Sequence, residues 1–388
     1  MGVVGGEITS AQLAVRVRKT RTYRDHRPAD RTPFVLDVAL EIPPGITIVF
    51  GPSGAGKSTL LDCIAGLLRP DEGRISIGAQ VLLDTDRGIS LPPQKRQVAY
   101  VFQSLALFPH ITVEQNVAYG LVETRMPERG ARVNEALDAF RVRKFAHRKP
   151  HELSGGERQR AALARSLATS PHVLLLDEPL TALDAGMKKS IMDDLRAWNA
   201  AKNIPVLYVT HSREEVDALG ERVIALEQGK MAVSGTPHEV LAAPRRSSLA
   251  QAAGFENLLT GTITELRESD GVMRVCLEES DCEIETPLGY SAVGDRVKLA
   301  IRAGDILLAT EPPHRLSARN VIPGTIVSME QRGATVIAKV TAGRNAGVGE
   351  GVSFTVHLTP GAKRALGLEV DCPVWLVLKT YSCHVLDA

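Results

Sequence analysis

Eight consecutive residues constrain this chain more than any other stretch: Gly51, Pro52, Ser53, Gly54, Ala55, Gly56, Lys57 and Ser58. They fit the pattern G-x-x-x-x-G-K-[ST], in which glycines let the backbone wrap tightly and aim its N–H groups at phosphate oxygens. The pattern is informative between a strand and a helix. Here it follows the apolar, β-branched run 46–50 and opens a helix-forming run at 58–68. A helix start adds the positive end of its dipole. Lys57 can then reach β- and γ-phosphates, Ser58 can ligate Mg2+ through its hydroxyl, and Thr59 can donate to a neighbouring phosphate. Such a loop belongs to an α/β architecture. Runs 98–102, 173–176 and 206–210 read as further buried strands, and 155–169 and 187–201 as helices. Strands alternating with helices up to about residue 240 predict a mainly parallel core sheet.

Four more groups of residues complete the chemistry of that loop. The apolar run 173–176 ends in Asp177 and Glu178. A carboxylate at a strand end can hold Mg2+, usually through water, and its neighbour can act as general base on an attacking water. Gln103 follows the strand 98–102, where its amide can touch both metal and water. His211 follows 206–210, where an imidazole can hydrogen-bond a γ-phosphate. Catalytic roles therefore fall to Glu178, His211 and Gln103, and metal-binding roles to Ser58, Gln103 and Asp177. Ser154, Gly155, Gly156 and Glu157 precede a second helix. A serine cap followed by two glycines exposes N–H groups and makes a second anion receptor. The same residues also fit an ordinary N-cap with Glu157 as the capping-box acid.

Composition narrows the rest. At 388 residues the chain is long enough for two or three domains, and 44% hydrophobic residues can build sizeable cores. A formal net charge of +1 argues against a strongly basic nucleic-acid binder. The first ten residues lack a secretory pattern, and the apolar runs are far too short to span a bilayer, so a membrane link is expected to go through a partner. Five scattered cysteines form no C-x-x-C pair and no zinc spacing, which fits a reducing cytoplasm.

The ordered set of residues 51–58, Gln103, 153–159, 173–178, Ala182-Leu183-Asp184 and His211 resembles the nucleotide-binding subunits of ABC transporters over roughly residues 10–240. The resemblance implies an ABC-type P-loop NTPase domain with a helical subdomain, ATP and Mg2+ as its ligands, and a head-to-tail homodimer. In that arrangement each ATP is gripped by the Lys57 loop of one copy and by Ser154, Gly155, Gly156 and Glu157 of the other, with Asp184 along the seam. Glu157 stands where many members carry Gln. The aromatic that stacks on adenine in such proteins is not placed: the usual spacing falls on residues 27–30, with Tyr23 earlier and Phe34 later. The stretch 96–119, with Phe108-Pro109-His110, resembles importer subunits, which implies a groove for a membrane permease in which Leu105, Leu107 and Phe108 take part.

Beyond residue 254 the texture changes. A small-residue-rich helical linker is expected over 241–254, followed by strand-like runs at 272–277, 297–301, 335–340, 352–358 and 374–378, which read as a small all-β, OB-like domain over 255–388. It repeats itself: Asn257-Leu258-Leu259-Thr260-Gly261-Thr262-Ile263 returns as Asn320-Val321-Ile322-Pro323-Gly324-Thr325-Ile326. Ser317, Arg319, Lys379 and Ser382 match the donors of oxyanion-binding Mop modules, which this region resembles. The first domain, through residues 84–89 and 108–110, also looks most like molybdate-importer ATPases. The resemblance implies an importer ATPase for molybdate or tungstate on the cytoplasmic face of the inner membrane. Its implied partners are permease subunits, an extracytoplasmic oxyanion-binding protein acting indirectly, and a molybdate or tungstate ligand, with no nucleic acid. Alternatives are an importer of another oxyanion such as sulfate, a soluble ABC ATPase, or an oxyanion store.

Overall fold

The computed structural model describes residues 12–21, 33–121, 124–181, 183–241, 247–278, 280–343 and 351–386. Tyr23, residues 27–30 and Ala182 lie outside the described residues, as do 242–246 of the expected linker helix. The chain divides into two compact units, Met1–Val240 and Leu241–Ala388.

The first unit contains two sheets. Strands β1 (Leu13–Arg21) and β2 (Phe34–Ile42) alternate buried and exposed side chains, the pattern of a sheet with one face on the core. Strand β3 (Gly45–Phe50) is buried along nearly its whole length and leads through residues 51–56 into α1 (Lys57–Ala65). Strands β4 (Glu72–Ile77), β5 (Gln80–Asp84) and β6 (Ile89–Ser90) complete an antiparallel sheet of order β2-β1-β4-β5-β6. The sequence reading did not anticipate this sheet.

After β7 (Val98–Val101) come three helices that pack on one another: α2 (Val113–Ala118), α3 (Met126–Ala139) and α4 (Gly155–Ala168). They form the expected helical subdomain. The chain then alternates through β8 (Val173–Asp177), α5 (Ala185–Lys202), β9 (Pro205–Val209), α6 (Arg213–Leu219), β10 (Arg222–Glu227) and β11 (Lys230–Gly235). The second sheet has the order β11-β10-β3-β9-β8-β7. All neighbours in it are parallel except the edge strand β11. Leu60, Leu61 and Ile64 of α1 are fully buried between the sheets, in one core with Leu13, Val15 and Ile75 on one side and Val49, Leu175 and Leu207 on the other. Each such side chain contributes about 1.5–3 kcal/mol, so α1 and the loop before it rest on a rigid base.

Two short helices, α7 (Pro237–Leu241) and α8 (Ser247–Ala252), stand where one linker helix was expected. The strands of the second unit are β12 (Asn257–Arg267), β13 (Val272–Leu277), β14 (Glu283–Pro287), β15 (Arg296–Ile301) and β16 (Leu307–Ala309). They continue as β17 (Asn320–Arg332), β18 (Thr335–Ala342) and β19 (Val352–Leu358), then α9 (Pro360–Ala365), β20 (Pro373–Leu378) and β21 (His384–Leu386). Pairing gives two five-stranded antiparallel sheets, β14-β13-β12-β15-β21 and β16-β20-β17-β18-β19. The matching strings 257–263 and 320–326 open the central strands β12 and β17. Each of these strands carries a bulge at the same place, between Ile263 and Glu265 and between Ile326 and Ser328. The short last strands are exchanged: β21 pairs with β15, and β16 with β20.

Candidate functional site

Four adjacent parallel strands deliver the site. In the order β3, β9, β8, β7, register pairs join Val49 to Val209, Val209 to Asp177, and Leu176 to Val101. The 51–58 loop, His211, the Asp177–Glu178 pair and Gln103 therefore all emerge at one carboxyl edge, where open α/β sheets form their ligand sites.

The loop needs its glycines. Gly51 and Gly56 have φ of 150° and 100°. A Cβ at Gly51 would overlap the Leu226 carbonyl oxygen, and one at Gly56 would lie 2.7 Å from the Phe34 ring. Phe34 thus lies beside the loop; the other two sites considered for the aromatic fall outside the described residues. The Lys57 ammonium donates to the carbonyls of Gly51 at 2.8 Å and Pro52 at 2.9 Å, which holds it against the loop. Burial lowers its pKa, and the negative charges of Glu178 and Asp177 oppose that shift, so both carboxylates lie within electrostatic reach of the ammonium. Ser58 is exposed and Thr59 is buried.

Glu178 has a left-handed backbone with φ of 45°, a conformation that costs a non-glycine residue about 1 kcal/mol or more. Its N–H donates to Val209 O at 3.0 Å, and its carbonyl accepts from the Thr181 hydroxyl at 2.9 Å. The turn directs the carboxylate to within 3.2 Å of His211 Nδ1. Asp177 lies 3.3 Å from the Tyr100 hydroxyl, which is also 3.4 Å from Asp62 on α1. Burial, then the charge of Asp177, raises the Tyr100 pKa, which keeps the hydroxyl a donor. The Tyr100 ring stacks on Phe102 at 4.2 Å, next to the exposed Gln103. Beyond Gln103, Leu105 and Ala106 adopt positive φ. This segment is held by Arg165, which donates to Ala106 O at 2.7 Å, and by the buried Asn116, which bonds both the N–H and the carbonyl of Phe108. Leu105, Leu107 and Phe108 are half-buried.

A network that sequence reasoning missed lies under His211. Glu215, 3% exposed, accepts from the hydroxyls of Thr210 at 2.7 Å and Tyr208 at 2.9 Å, and pairs with Lys188 of α5 at 3.2 Å. Thr210 Oγ1 in turn accepts the Ser212 N–H at 3.0 Å.

The turn at Ser154 has the predicted cap geometry. Ser154 Oγ accepts the Glu157 N–H at 3.3 Å, and Glu157 accepts the Ser154 N–H at 2.8 Å. Because Ser154 uses a lone pair here, its hydroxyl proton stays available. The following helix is tied to α5 by the Arg160–Asp194 ion pair. Asp184 is exposed and caps α5, accepting the Met187 N–H at 2.9 Å. Among the described residues no hydrogen bond or ion pair links residues 51–59 to 154–157.

Among the described residues no group of three or more His, Cys, Asp or Glu could hold a metal alone. Ser58, Gln103 and Asp177 instead offer a hydroxyl, an amide and one carboxylate. That sparse, all-oxygen set fits Mg2+, which keeps waters and shares its shell with substrate phosphates.

In the second unit, Asn320 pairs with Leu378, which puts Arg319 and Lys379 side by side at the strand ends. Ser382 N–H donates to Lys379 O at 3.0 Å, so the turn 380–382 folds back toward them. Ser317 is exposed. Arg319 is also exposed and lies 3.7 Å from the Glu285 carboxylate.

Two family models match: ABC transporter over residues 35–181 and TOBE domain over 316–385. The chain is 37% identical to the molybdenum import ATP-binding protein ModC of Mesorhizobium japonicum, over 92% of this chain and 94% of that one. The chain belongs to the ABC transporter ATP-binding family. A further relative of this ABC subunit is the molybdate/tungstate import ATP-binding protein WtpC of Pyrococcus abyssi, 36% identical over 87% of this chain and 91% of that one. Among solved structures, cbiO1 from Clostridium perfringens, part of the ABC transporter complex cbiONQ, is 27% identical with a TM-score of 0.52. It covers 64% of this chain and 96% of its own. The ABC transporter model, over residues 35–181, falls within the first unit.

Proposed function

We propose that this ABC subunit hydrolyses ATP to drive uptake of molybdate or tungstate. The observation that carries the catalytic part is the convergence on one sheet edge of the Lys57 loop, Asp177, Glu178 and His211, with Lys57 in electrostatic reach of both carboxylates. Residues 51–59 bind the phosphates through backbone N–H groups and the Lys57 ammonium. Glu178 accepts a proton from the water that attacks the γ-phosphorus, and the bond from that phosphorus to the bridging oxygen breaks, releasing ADP and phosphate. His211 donates to the γ-phosphate and holds Glu178 in place. Ser58, Asp177 and Gln103 would hold Mg2+, which would supply positive charge to the phosphates.

A second copy completes each site, its Ser154 hydroxyl and the N–H groups of its α4 start facing the γ-phosphate while Asp184 follows the seam. Two anion receptors that do not meet within one chain support this head-to-tail homodimer. The half-buried segment 105–108, pinned by Arg165 and Asn116, suits the permease groove. No helix among the described residues is long and apolar enough to cross a membrane, and docking on permease subunits would hold the protein at the cytoplasmic face of the inner membrane. An extracytoplasmic binding protein would supply the anion. The relatives named for molybdenum and tungstate import support the substrate, and the cations Arg319 and Lys379 with Ser382 and Ser317 support an oxyanion site that reports cytoplasmic supply. Residues 241–254 serve as the linker, and 255–388 as the Mop-like module with two related halves.

Glu178→Gln tests the catalytic assignment. Turnover should fall by about 10²-fold or more, while ATP is still bound and drives two copies together in light scattering. Near-normal hydrolysis would remove Glu178 as the base; persistence of monomers at saturating Mg-ATP would remove the shared site.

A further inference from the structure

The buried carboxylate beneath His211 has more structure than a fold needs at that point. Glu215 stands on α6, four residues past the imidazole, and is closed from solvent. One of its oxygens accepts both the Thr210 and Tyr208 hydroxyls, and the other faces the Lys188 ammonium. Thr210 immediately precedes His211, and its hydroxyl oxygen also receives the N–H of Ser212, which follows it. The backbone is therefore tied on both sides of the imidazole to a single carboxylate. Lys188 comes from elsewhere: it lies in the first turn of α5, and its own N–H bonds the carbonyl of Asp184 at 2.9 Å. Asp184 is the exposed cap of that helix.

We propose that Lys188 and Glu215 are positioning residues for His211, joining the helix that begins at Asp184 to the turn that carries the imidazole. This rests on the hydrolytic reading given above. The physical case is one of satisfaction and rigidity. A closed-off carboxylate is tolerated only when its lone pairs are met by donors, and a charge-assisted network in a low dielectric is stiff. Removing Lys188 takes from the carboxylate the cation paired with it, so its pull on Thr210 changes and His211 loses its fixed height against Glu178. Neither Lys188 nor Glu215 needs to touch nucleotide. A displacement of the Asp184 turn, the part of the first unit placed on the seam between copies, would reach His211 through two hydrogen-bonded contacts and one helical turn.

The test is steady-state hydrolysis by the full-length protein with Lys188→Gln, Thr210→Val and the pair combined. Lys188→Gln keeps a donor and removes the charge; Thr210→Val keeps the shape and removes the bridging hydroxyl. Each single variant should lower kcat about tenfold while the KM for ATP stays within about twofold, because an interaction that orients a group for the transition state acts on kcat. The double variant should lose no more than the worse single one, since both act through one route. Lys188→Arg should recover most of the rate. Losses that multiply in the double variant, or a rise in KM with kcat intact, would overturn the proposal. Native hydrolysis with unchanged Lys188→Gln kinetics would overturn it alone. An unmutated protein that does not hydrolyse Mg-ATP would overturn the hydrolytic reading and this proposal together. Should Lys188→Gln not fold, Lys188→Met and Thr210→Val carry the same cycle.

Discussion

A methyl group added at Gly156 would overlap the sulfur of Met187, whose residue lies at the start of α5. Gly155 has more room, with Leu183 Cδ2 3.6 Å from the same hypothetical atom. The two glycines thus do different things: one leaves N–H groups open at the cap, and the other lets two helix starts touch. Gly156→Ala should cost about 1–3 kcal/mol in urea unfolding, the range for overpacking a filled site. Adding Met187→Ala should return a good part of it. An unchanged midpoint in the single variant would show that Met187 simply swings aside. The sequence told half of this. Ser154, both glycines and Glu157 are a cap that can be read locally, and Glu157 does accept the Ser154 N–H. Met187 sits 31 residues further on by numbering, and no local rule brings it there. The same holds for Lys188 and Glu215, whose pairing spans 27 residues. The strand-end positions of Asp177, Glu178, Gln103 and His211 can be read because each follows an apolar run. The left-handed turn that aims Glu178 was not, since Glu is a poor marker of that conformation.

Among the elements, the most informative pair are β12 and β17. Each begins with an asparagine that reaches into the other sheet. Asn257 accepts the Thr355 N–H at 2.6 Å and donates to its carbonyl at 2.9 Å; Asn320 accepts the Glu285 N–H at 2.7 Å and donates to its carbonyl at 2.9 Å. An amide side chain thereby completes a ladder where two sheets meet, satisfying backbone groups that would otherwise be buried without partners. Asn320→Ala and Asn257→Ala should each lower stability by about 1–3 kcal/mol, the cost of stranding such groups, read as a fall in thermal midpoint. A loss under about 0.5 kcal/mol would mean that water takes over. The repeat of Asn257–Ile263 as 320–326 is visible in the letters; that its asparagines cross between sheets is not. In the first unit, β1 and β2 show the alternation of a half-buried sheet, a weaker signal in the letters than the continuous apolar runs of the parallel sheet, because charged residues interrupt it at every other position or so.

At the scale of the whole molecule, one measurement separates the candidate cargoes. Calorimetry on the full chain with molybdate, tungstate and sulfate should give heat with the first two and little with sulfate, if Arg319, Lys379, Ser317 and Ser382 form a site. Arg319→Ala should abolish it. Silence with molybdate and tungstate would remove the regulatory site while leaving the ATPase reading untouched, and the best heat with sulfate would change the cargo. Arg319 already has a neighbour in Glu285 at 3.7 Å, so an incoming dianion must compete with that carboxylate, and raised salt should weaken both contacts.

The exchange of β16 and β21 has a consequence for how the second unit comes into being. The strand that closes the earlier five-stranded layer, β21, pairs with β15 across more than eighty positions of chain, and every strand of the later layer lies between them in sequence. The earlier layer therefore stays open until the chain has run through the later one. Losing the short stretch His384–Leu386 would leave a raw edge on a layer whose other four members are intact.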